Sequence, residues 1–284
     1  MQNQHSTALH NRGVLRVSGP DADAFLQGLI TNDLDKAVDG HAIYAALLSP
    51  QGKILFSFFI ARREDAFWID CPAELAAALA KRLALYKLRS AVAIEDVWET
   101  YCVTVTWGNA ANGGAESFAD PRLPALGYRR ISPRAGLEDS GGYDPHRITL
   151  AVPEGGRDYI YGEAFPHDAC MDLLNGVDFK KGCYVGQEIV SRMQHRGTAR
   201  RRVVAVVADA PLTEGVDIIA GAATLGSLGS AHGGRGIAIV RLDRAREAMA
   251  AGTPITAGGM AVTLGIPEWA NYSFEVPTAA GAAR

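Results

Sequence analysis

The sequence predicts an α+β protein that ends in a small β domain. In the first half of the chain, β-rich runs joined by turn residues are interrupted by apolar residues at helical spacing, as at Leu75 and Leu79. Beyond Arg200 the character changes to short strands spaced by many glycines, which is typical of a closed or sandwiched β domain. With 284 residues, 48% of them hydrophobic, the chain can bury a substantial core. We therefore predict an N-terminal region at 1–200 and a C-terminal domain at 201–284.

Hydrophobic periodicity and turn residues predict the individual elements in order. The predicted strands are 13–18, 42–48, 53–61, 67–71, 91–97, 101–107, 203–207 and 237–242. The turn Ser49-Pro50-Gln51-Gly52 joins the second and third of these strands as a hairpin. The predicted helices are one that includes 25–30 and is capped by Asp21 or Asp23, and others at 72–88, 165–174 and 186–194. The Gly- and Ala-rich segment 108–119 is predicted to be an exposed loop.

Composition and charge argue against several classes of protein. The chain has 28 Lys and Arg against 31 Asp and Glu, and its pI near 6.2 is below that expected of a dedicated nucleic-acid binder. Its longest strongly apolar stretch, 54–61, is far shorter than the roughly 20 residues that a membrane helix needs. Residues 1–11 are polar and lack the apolar core of a secretory signal. These features predict no membrane contact, no direct nucleic-acid binding and a bacterial cytoplasmic location.

The four cysteines show neither Cys-x-x-Cys spacing nor the dense pattern of a secreted scaffold. Reduced thiols are therefore expected. The same spacing argues against a zinc site, or a four-cysteine cluster site, built by this chain alone. No metal ligands are predicted.

Cys183 is the candidate reactive residue. It lies between Gly182 and Gly186, just before a predicted helix, and its neighbours include Lys180 and Arg192. Nearby cations and a helix N-terminus favour the thiolate, and the glycines let backbone N–H groups approach an anion closely. The alternative is a buried, inert thiol, which is the better interpretation for the other three cysteines.

A run of arginines follows the cysteine and has two interpretations. It could bind a polyanion, such as a polyglutamylated tail or a phosphate backbone, or it could be a solvated helix face. The arginines concerned are Arg192, Arg196, Arg200, Arg201 and Arg202.

The octet Lys181-Gly-Cys-Tyr-Val-Gly-Gln-Glu188, which continues as Ile-Val-Ser-Arg-Met-Gln-His-Arg-Gly197, resembles the signature of the YgfZ-like family. The eukaryotic members of that family serve mitochondrial iron–sulfur cluster assembly. The resemblance covers nearly the whole chain, and its supporting stretches are Phe25 to Asp33, Ser49 to Ile54, Arg147-Ile148, Val152-Pro153 and Pro267 to Trp269.

The resemblance implies a fold like that of the glycine-cleavage T-protein, with two interlocked N-terminal α/β subdomains and a C-terminal β-barrel around a central cavity. It also implies that the protein binds tetrahydrofolate or a one-carbon derivative, and that it assists assembly or repair of [4Fe–4S] proteins. The expected partners are iron–sulfur client or assembly proteins, and Cys183 is the residue needed for function. The folate contacts expected from the motif regions are Asn32, Asp33, Arg147, Lys181, Gln187, Glu188 and Arg192.

Two departures from the T-protein pattern bear on whether the chain is an enzyme. T-proteins carry paired aspartates after the hairpin turn, whereas the matching positions here are Phe56 and Ser57. A glutamate that contacts the pterin is replaced by Thr149. A missing carboxylate removes the proton-transfer assistance that a transferase would use. A folate-dependent one-carbon transferase and a non-catalytic folate sensor linked to RNA modification remain the alternatives.

Overall fold

The computed structural model of the chain describes residues 4–108, 113–134, 141–197 and 199–274. Contacts between residues divide the chain into two compact units. The first unit consists of residues 1–144, 161–166 and 174–196, and the second of residues 145–160, 167–173 and 197–284. Two segments that precede residue 200 thus group with the C-terminal strands. The predicted division at residue 200 stays a prediction.

The described part of the first unit combines nine strands with helices. Its strands are β1 (His5–Ala8), β2 (Arg12–Ser18), β3 (Ala42–Leu48), β4 (Ile54–Arg63), β5 (Ala66–Pro72), β6 (Ala93–Asp96), β7 (Tyr101–Trp107), β8 (Ser117–Ala119) and β9 (Tyr128–Pro133). The helices are α1 (Ala22–Gln27), α2 (Ala73–Lys87), α3 (Tyr143–Thr149), which continues into the second unit, and α4 (Gln187–Arg196). Short 3-10 turns lie at Leu34–Lys36 and Pro124–Leu126.

Two antiparallel sheets form the body of the first unit. Five strands lie in the order β3-β4-β5-β2-β6, and four in the order β1-β7-β9-β8. On one face of the larger sheet, Leu79 and Leu83 of α2 join a buried cluster with strand residues such as Leu15. A second cluster, which includes Val14 of β2 and Val103 of β7, joins the two sheets. The smaller sheet therefore buries one face against the larger one.

Between these sheets lies a buried network of three arginines and two aspartates. Asp70 accepts hydrogen bonds from Arg12 Nε at 2.5 Å and from Arg129 Nη2 at 2.6 Å. Asp120 accepts hydrogen bonds from Arg122 Nε and Nη2, and lies 3.5 Å from Arg129 Nη1. Burial acts to raise the pKa of Asp120, but Arg122 and Arg129 outweigh burial and leave that pKa below its ordinary value. Each aspartate therefore holds two arginines in the interior.

The second unit is a nearly closed β-barrel. Its strands are β10 (Arg201–Val207), β11 (Asp217–Ala220), β12 (Ala223–His232), β13 (Arg235–Arg241), β14 (Ile255–Ala257), β15 (Met260–Ala261) and β16 (Thr263–Gly265), and its helix is α5 (Leu242–Ala250). The seven strands follow the order β15-β14-β11-β12-β13-β10-β16. Val204, Leu225 and Val240 lie in its core, and Ala245 of α5 packs against them.

Most predicted elements are present, and four details of the prediction are wrong. The first predicted helix, which was expected to include 25–30, ends at Gln27 as α1, and Ile30 instead forms a β-bridge with Leu47. Residues 165–174 form turns instead of a helix, because Cys170 adopts a positive φ of 53°. Asp21 precedes α1 without capping it, since its carboxylate accepts a hydrogen bond from Ala91 N. The predicted loop at 108–119 ends in strand β8, and its residues 109–112 lie outside the described residues.

Among the described residues, no helix is both long and apolar enough to cross a membrane.

Candidate functional site

The candidate site is residues 178–186, here called the Cys183 loop, which precedes α4. Asp178 fixes the start of this loop. Its backbone N–H donates to Thr31 O at 2.9 Å, while its carboxylate accepts from the N–H groups of Lys180 and Lys181 at 2.6 and 3.0 Å. Lys36 Nζ donates to the second carboxylate oxygen at 2.5 Å. The loop is therefore tied to the segment that follows α1.

Lys181 fixes the middle of the loop by burying its ammonium group. Nζ donates to three backbone carbonyl oxygens, Gln27 O and Ile30 O at 2.7 Å each and Asn32 O at 3.0 Å. An ammonium group has three N–H donors, so these contacts use all of them. Burial lowers the pKa of Lys181 to about 8, although the Asp33 carboxylate acts in the opposite direction. Lys181 thus serves as an internal anchor for the loop, and the folate contact predicted for it stays a prediction.

The end of the loop is fixed by close packing against the β3–β4 hairpin turn. Gly186 has a φ of +83°, and a Cβ atom at this position would lie 2.6 Å from Ser49 O. Gly52 of the turn approaches α4 in the same way, since a Cβ there would lie 2.9 Å from Ile189 Cβ. Only glycine combines this backbone conformation with such close approach. The two glycines therefore lock the start of α4 onto the hairpin.

Between these fixed points, Gly182 and Cys183 are exposed to solvent. Tyr184, the next residue, is buried, and its ring lies 5.3 Å from Lys181 Nζ. All four cysteines lie in the described part of the chain, and Cys183 is the exposed one among them. Burial raises the pKa of Cys71 to about 12, and burial also raises the pKa of Cys170. Accessibility therefore distinguishes Cys183 from the other thiols.

Two predicted folate contacts lie beside the loop. Asn32 is buried: its Nδ2 donates to Tyr44 O at 2.8 Å and to Asn175 O at 2.7 Å, and its Oδ1 accepts from Asp33 N. Asp33 is half-buried, and its carboxylate accepts from Gln27 Nε2 at 2.8 Å. Asn32 therefore supports the local backbone, whereas Asp33 keeps part of its carboxylate accessible.

Three more predicted contacts lie on the first turns of α4. Gln187 is half-buried, and Glu188 and Arg192 are exposed. Arg192 Nη2 donates to Glu188 Oε1 at 2.5 Å, one helical turn away. Such an exposed pair contributes at most about 1 kcal/mol, so a ligand can displace it at little cost.

The remaining predicted contact, Arg147, belongs to the second unit and is 1% exposed. Its Nη1 donates to Val152 O and to Asp158 Oδ2 at 2.8 Å each, and its Nη2 donates to Ser230 Oγ at 2.8 Å. Within that unit, Arg202 of the predicted basic run is likewise held by Asp172 in a two-point ion pair. Both arginines stabilise the second unit internally.

The structure also shows where the residues that depart from the T-protein pattern lie. Ser57 is buried and its Oγ lies 2.9 Å from Tyr161 Oη, while Thr149 Oγ1 donates to Pro145 O at 2.9 Å. Neither position supplies a carboxylate. Asn32, Lys181 and Arg147 have their polar groups bound within the chain, so the accessible members of the predicted folate set are Asp33, Gln187, Glu188 and Arg192.

Sequence reasoning missed the residues that hold the loop in place, Asp178, Thr31 and Lys36. Asp178 had a local signal, since an Asp that accepts hydrogen bonds from the next two or three N–H groups is typical of a turn. Thr31 donates through Oγ1 to Gly176 O at 2.6 Å across 145 positions of sequence. No sequence pattern indicates such a long-range partner.

Asp178→Asn is expected to lower the free energy of unfolding at neutral pH by on the order of 1 kcal/mol, because the charge-assisted hydrogen bonds weaken. Burial acts to raise the pKa of this carboxyl, but the hydrogen bonds from Lys36, Lys180 and Lys181 outweigh burial and leave the pKa lowered. A lowered folded-state pKa gives stability that is present above the unfolded value, about 4, and is lost as the pH falls through the folded value.

Urea denaturation from pH 7 down to pH 2 measures this difference. The wild type and Asp178→Asn should converge in acid. The exposed Asp39 offers a control, since Asp39→Asn should leave the curve unchanged. A difference between the wild type and Asp178→Asn that stays constant over the whole range would contradict the assignment.

Within the described residues, no group of three or more His, Cys, Asp or Glu side chains lies close enough together to hold a metal ion.

Comparison with known families matches both ends of the chain. Residues 8–130 match the GCVT N-terminal domain, and residues 200–272 match the CAF17 C-terminal β-barrel domain. Among solved structures, the glycine cleavage system aminomethyltransferase T from Bartonella henselae has a TM-score of 0.73, with 93% of this chain and 85% of that chain covered. The identity is 16%, so this likeness concerns the fold. The predicted T-protein-like fold is thereby confirmed.

Curated proteins with higher identity are iron–sulfur cluster assembly factors. The mitochondrial factor IBA57 of Homo sapiens is 33% identical, with 82% of this chain and 76% of that protein covered. The Mus musculus protein is 30% identical, with 92% and 84% covered. A homolog from Neurospora crassa is 34% identical over 70% of this chain. The match covers 52% of that homolog, so this chain spans about half of the homolog's length.

These relatives correct one prediction. Each is named as a mitochondrial protein, so the predicted cytoplasmic location is wrong. The prediction used the lack of an apolar signal core, and that criterion does not detect the amphipathic segments that direct proteins to mitochondria.

Proposed function

This chain belongs to the IBA57 family of iron–sulfur cluster assembly factors, and we propose that it assists the assembly or repair of [4Fe–4S] proteins through the thiol of Cys183. One observation carries the assignment to this residue. Cys183 is exposed on a loop that two other motif residues hold in place, Lys181 through three carbonyl oxygens and Gly186 through close packing. These two contacts support the proposal that the loop presents the Cys183 thiol.

A presented thiol suits cluster chemistry. Iron–sulfur clusters are held by cysteine thiolates, commonly four for each cluster. Cys183 supplies one such ligand, so the others would come from the client or assembly protein that delivers or receives the cluster. A loop that is already fixed loses little conformational freedom when it docks, which favours binding. The proposed partners are therefore iron–sulfur client or assembly proteins.

Tetrahydrofolate binding is the second part of the proposal, and its support is the T-protein-like fold alone. Of the predicted contacts, Asp33, Gln187 and the Glu188–Arg192 pair retain accessible polar groups. Calorimetric titration of tetrahydrofolate into the wild type and Cys183→Ala, under reducing and oxygen-free conditions, tests this part. Equal binding would separate folate recognition from the thiol, and absence of binding to both would remove folate from the account.

Complementation in cells that lack the native copy tests the role of Cys183. Cys183→Ser is expected to restore no more [4Fe–4S] enzyme activity than an empty vector, because an exposed hydroxyl is a poor iron ligand at neutral pH. Cys102→Ala removes a buried thiol and serves as the control, which should restore activity. Immunoblotting must show equal amounts of each protein. Full restoration by Cys183→Ser would refute the proposal.

A further inference from the structure

The four-stranded sheet of the first unit carries a polar pocket on the face away from the core. In an antiparallel sheet, directly paired residues point to the same face, and successive residues alternate. Thr104 pairs with Arg130, and Thr106 pairs with Tyr128. Ser132, two residues beyond Arg130, lies on this face as well. The opposite face carries Val103, Val105 and Ile131, which are buried.

These side chains surround a cavity of about 160 Å³. Ser6 of β1 and Ser117 of β8 complete the lining from the neighbouring strands. The walls are therefore rich in hydroxyl groups. A solvent-facing sheet surface commonly carries polar residues, but it does not commonly bury them.

Two of the hydroxyl groups have no hydrogen-bond partner among the described residues and stay open to solvent at the pocket. Thr104 and Ser132 are each 9% exposed, yet neither hydroxyl forms a hydrogen bond with any residue that the structure describes. By contrast, Thr106 Oγ1 donates to Ser6 Oγ, and Ser117 Oγ donates to Gly114 O. Because solvent reaches both oxygens, both hydroxyls can donate to a ligand that accepts hydrogen bonds.

The charge at the pocket is positive. The Arg130 side chain is 46% exposed and its Nη2 lies 3.6 Å from Glu116 Oε2. Arg63 Nη2 donates to the backbone oxygens of Glu116 and Ile131. Burial lowers the pKa of Arg63, Glu116 acts to raise it, and Arg130 lowers it further, so the two guanidinium groups are close enough to repel. Arg63 lies outside the pocket lining, so the exposed cation of the pocket itself is Arg130, beside the Glu116 carboxylate.

We propose that this pocket binds a phosphate group, with Arg130 supplying the charge and the hydroxyls of Thr104 and Ser132 donating hydrogen bonds to its oxygens. Phosphate accepts several hydrogen bonds at once, and a guanidinium group matches two of its oxygens. The group would belong either to free phosphate or to a small phosphate ester. The inference does not depend on the role of Cys183.

Calorimetric titration of the full chain with inorganic phosphate, and separately with methyl phosphate, tests the proposal at constant ionic strength. We expect saturable binding that weakens about tenfold or more in Arg130→Gln, since the charge-assisted contact is lost. Thr104→Val keeps the shape of the side chain and removes the hydroxyl, and it should weaken binding about threefold to tenfold. Circular dichroism confirms that each variant is folded.

Arg62→Gln is the matched control. Arg62 is 43% exposed and lies 3.4 Å from one carboxylate, that of Asp23, so it resembles Arg130 in exposure and pairing but lies outside the pocket lining. Its substitution should leave binding unchanged. Tighter binding of methyl phosphate than of inorganic phosphate would assign the site to an ester, and the reverse would assign it to the free ion. Absence of saturable binding for both, or equal weakening by Arg62→Gln, would overturn the proposal.

Discussion

Asp70→Asn is expected to lower the thermal midpoint of unfolding by on the order of 10 °C, the largest stability effect that the structure predicts for a single substitution. Asp70 is completely buried and accepts hydrogen bonds from two buried guanidinium groups, those of Arg12 and Arg129. Asparagine has nearly the same shape but no charge. The three arginines of the network would then have only the carboxylate of Asp120, which already pairs with Arg122 and lies 3.5 Å from Arg129.

The physical reason is the cost of an uncompensated buried charge. Removing one partner of a buried ion pair costs about 3–5 kcal/mol, because the remaining charge stays out of water. The guanidinium of Arg129 also lies 4.2 Å from the ring centre of Phe59, so it cannot move to solvent without disturbing the packing there. The remaining arginines therefore cannot rearrange without a large cost in free energy.

Scanning calorimetry of the wild type, Asp70→Asn and Asp65→Asn measures the effect. Asp65 follows β4 and faces solvent, with 84% of its side chain exposed and Arg16 at 3.7 Å. Asp65→Asn should shift the midpoint by no more than about 1–2 °C, since exposed pairs contribute little. A shift as small for Asp70→Asn would show that the buried network contributes little to stability.

Lys181→Met should have the second largest effect and should change both stability and the Cys183 loop. Methionine fills a similar volume but donates no hydrogen bond, so Gln27 O, Ile30 O and Asn32 O lose their shared donor. We expect a loss of on the order of 3 kcal/mol in the free energy of unfolding. Hydrogen exchange of the loop amides should speed up, because this anchor holds the loop.

Lys180→Met is the control for this prediction. Lys180 is the adjacent lysine, and it is exposed. Its substitution should change neither the free energy of unfolding nor the exchange of the loop amides. If the two variants behave alike, the three carbonyl contacts of Lys181 do not hold the loop.

Local patterns predicted much of the fold. The runs at 42–48 and 101–107 coincide with β3 and β7, because β-branched and aromatic residues bounded by turns leave little choice of structure. The helix predicted after Pro72 is α2, whose residues Leu79 and Leu83 are buried. The helix predicted at 165–174 is absent, because a left-handed residue at Cys170 is a tertiary requirement without a local signal.

The sequence motif indicated where the candidate site lies, but it did not indicate what each of its residues does. Glycines around Cys183 indicated a special backbone, and this cysteine is indeed exposed. Lys181 was expected to contact a ligand, but its partners are backbone carbonyls about 150 positions earlier in the chain, which leave no trace in residue type. Arg147 likewise finds Ser230 across 83 positions. Long-range polar pairing therefore limits what a single sequence reveals.

Thiol alkylation of the native protein, read residue by residue by mass spectrometry, tests most directly the claim that the motif presents one reactive cysteine. We expect Cys183 to react at least on the order of a hundredfold faster than the buried thiols, which become accessible only when the chain opens. After denaturation, all four cysteines should react at similar rates. Protection of Cys183 in the native protein, or equally fast reaction of Cys71, Cys102 or Cys170, would contradict the account.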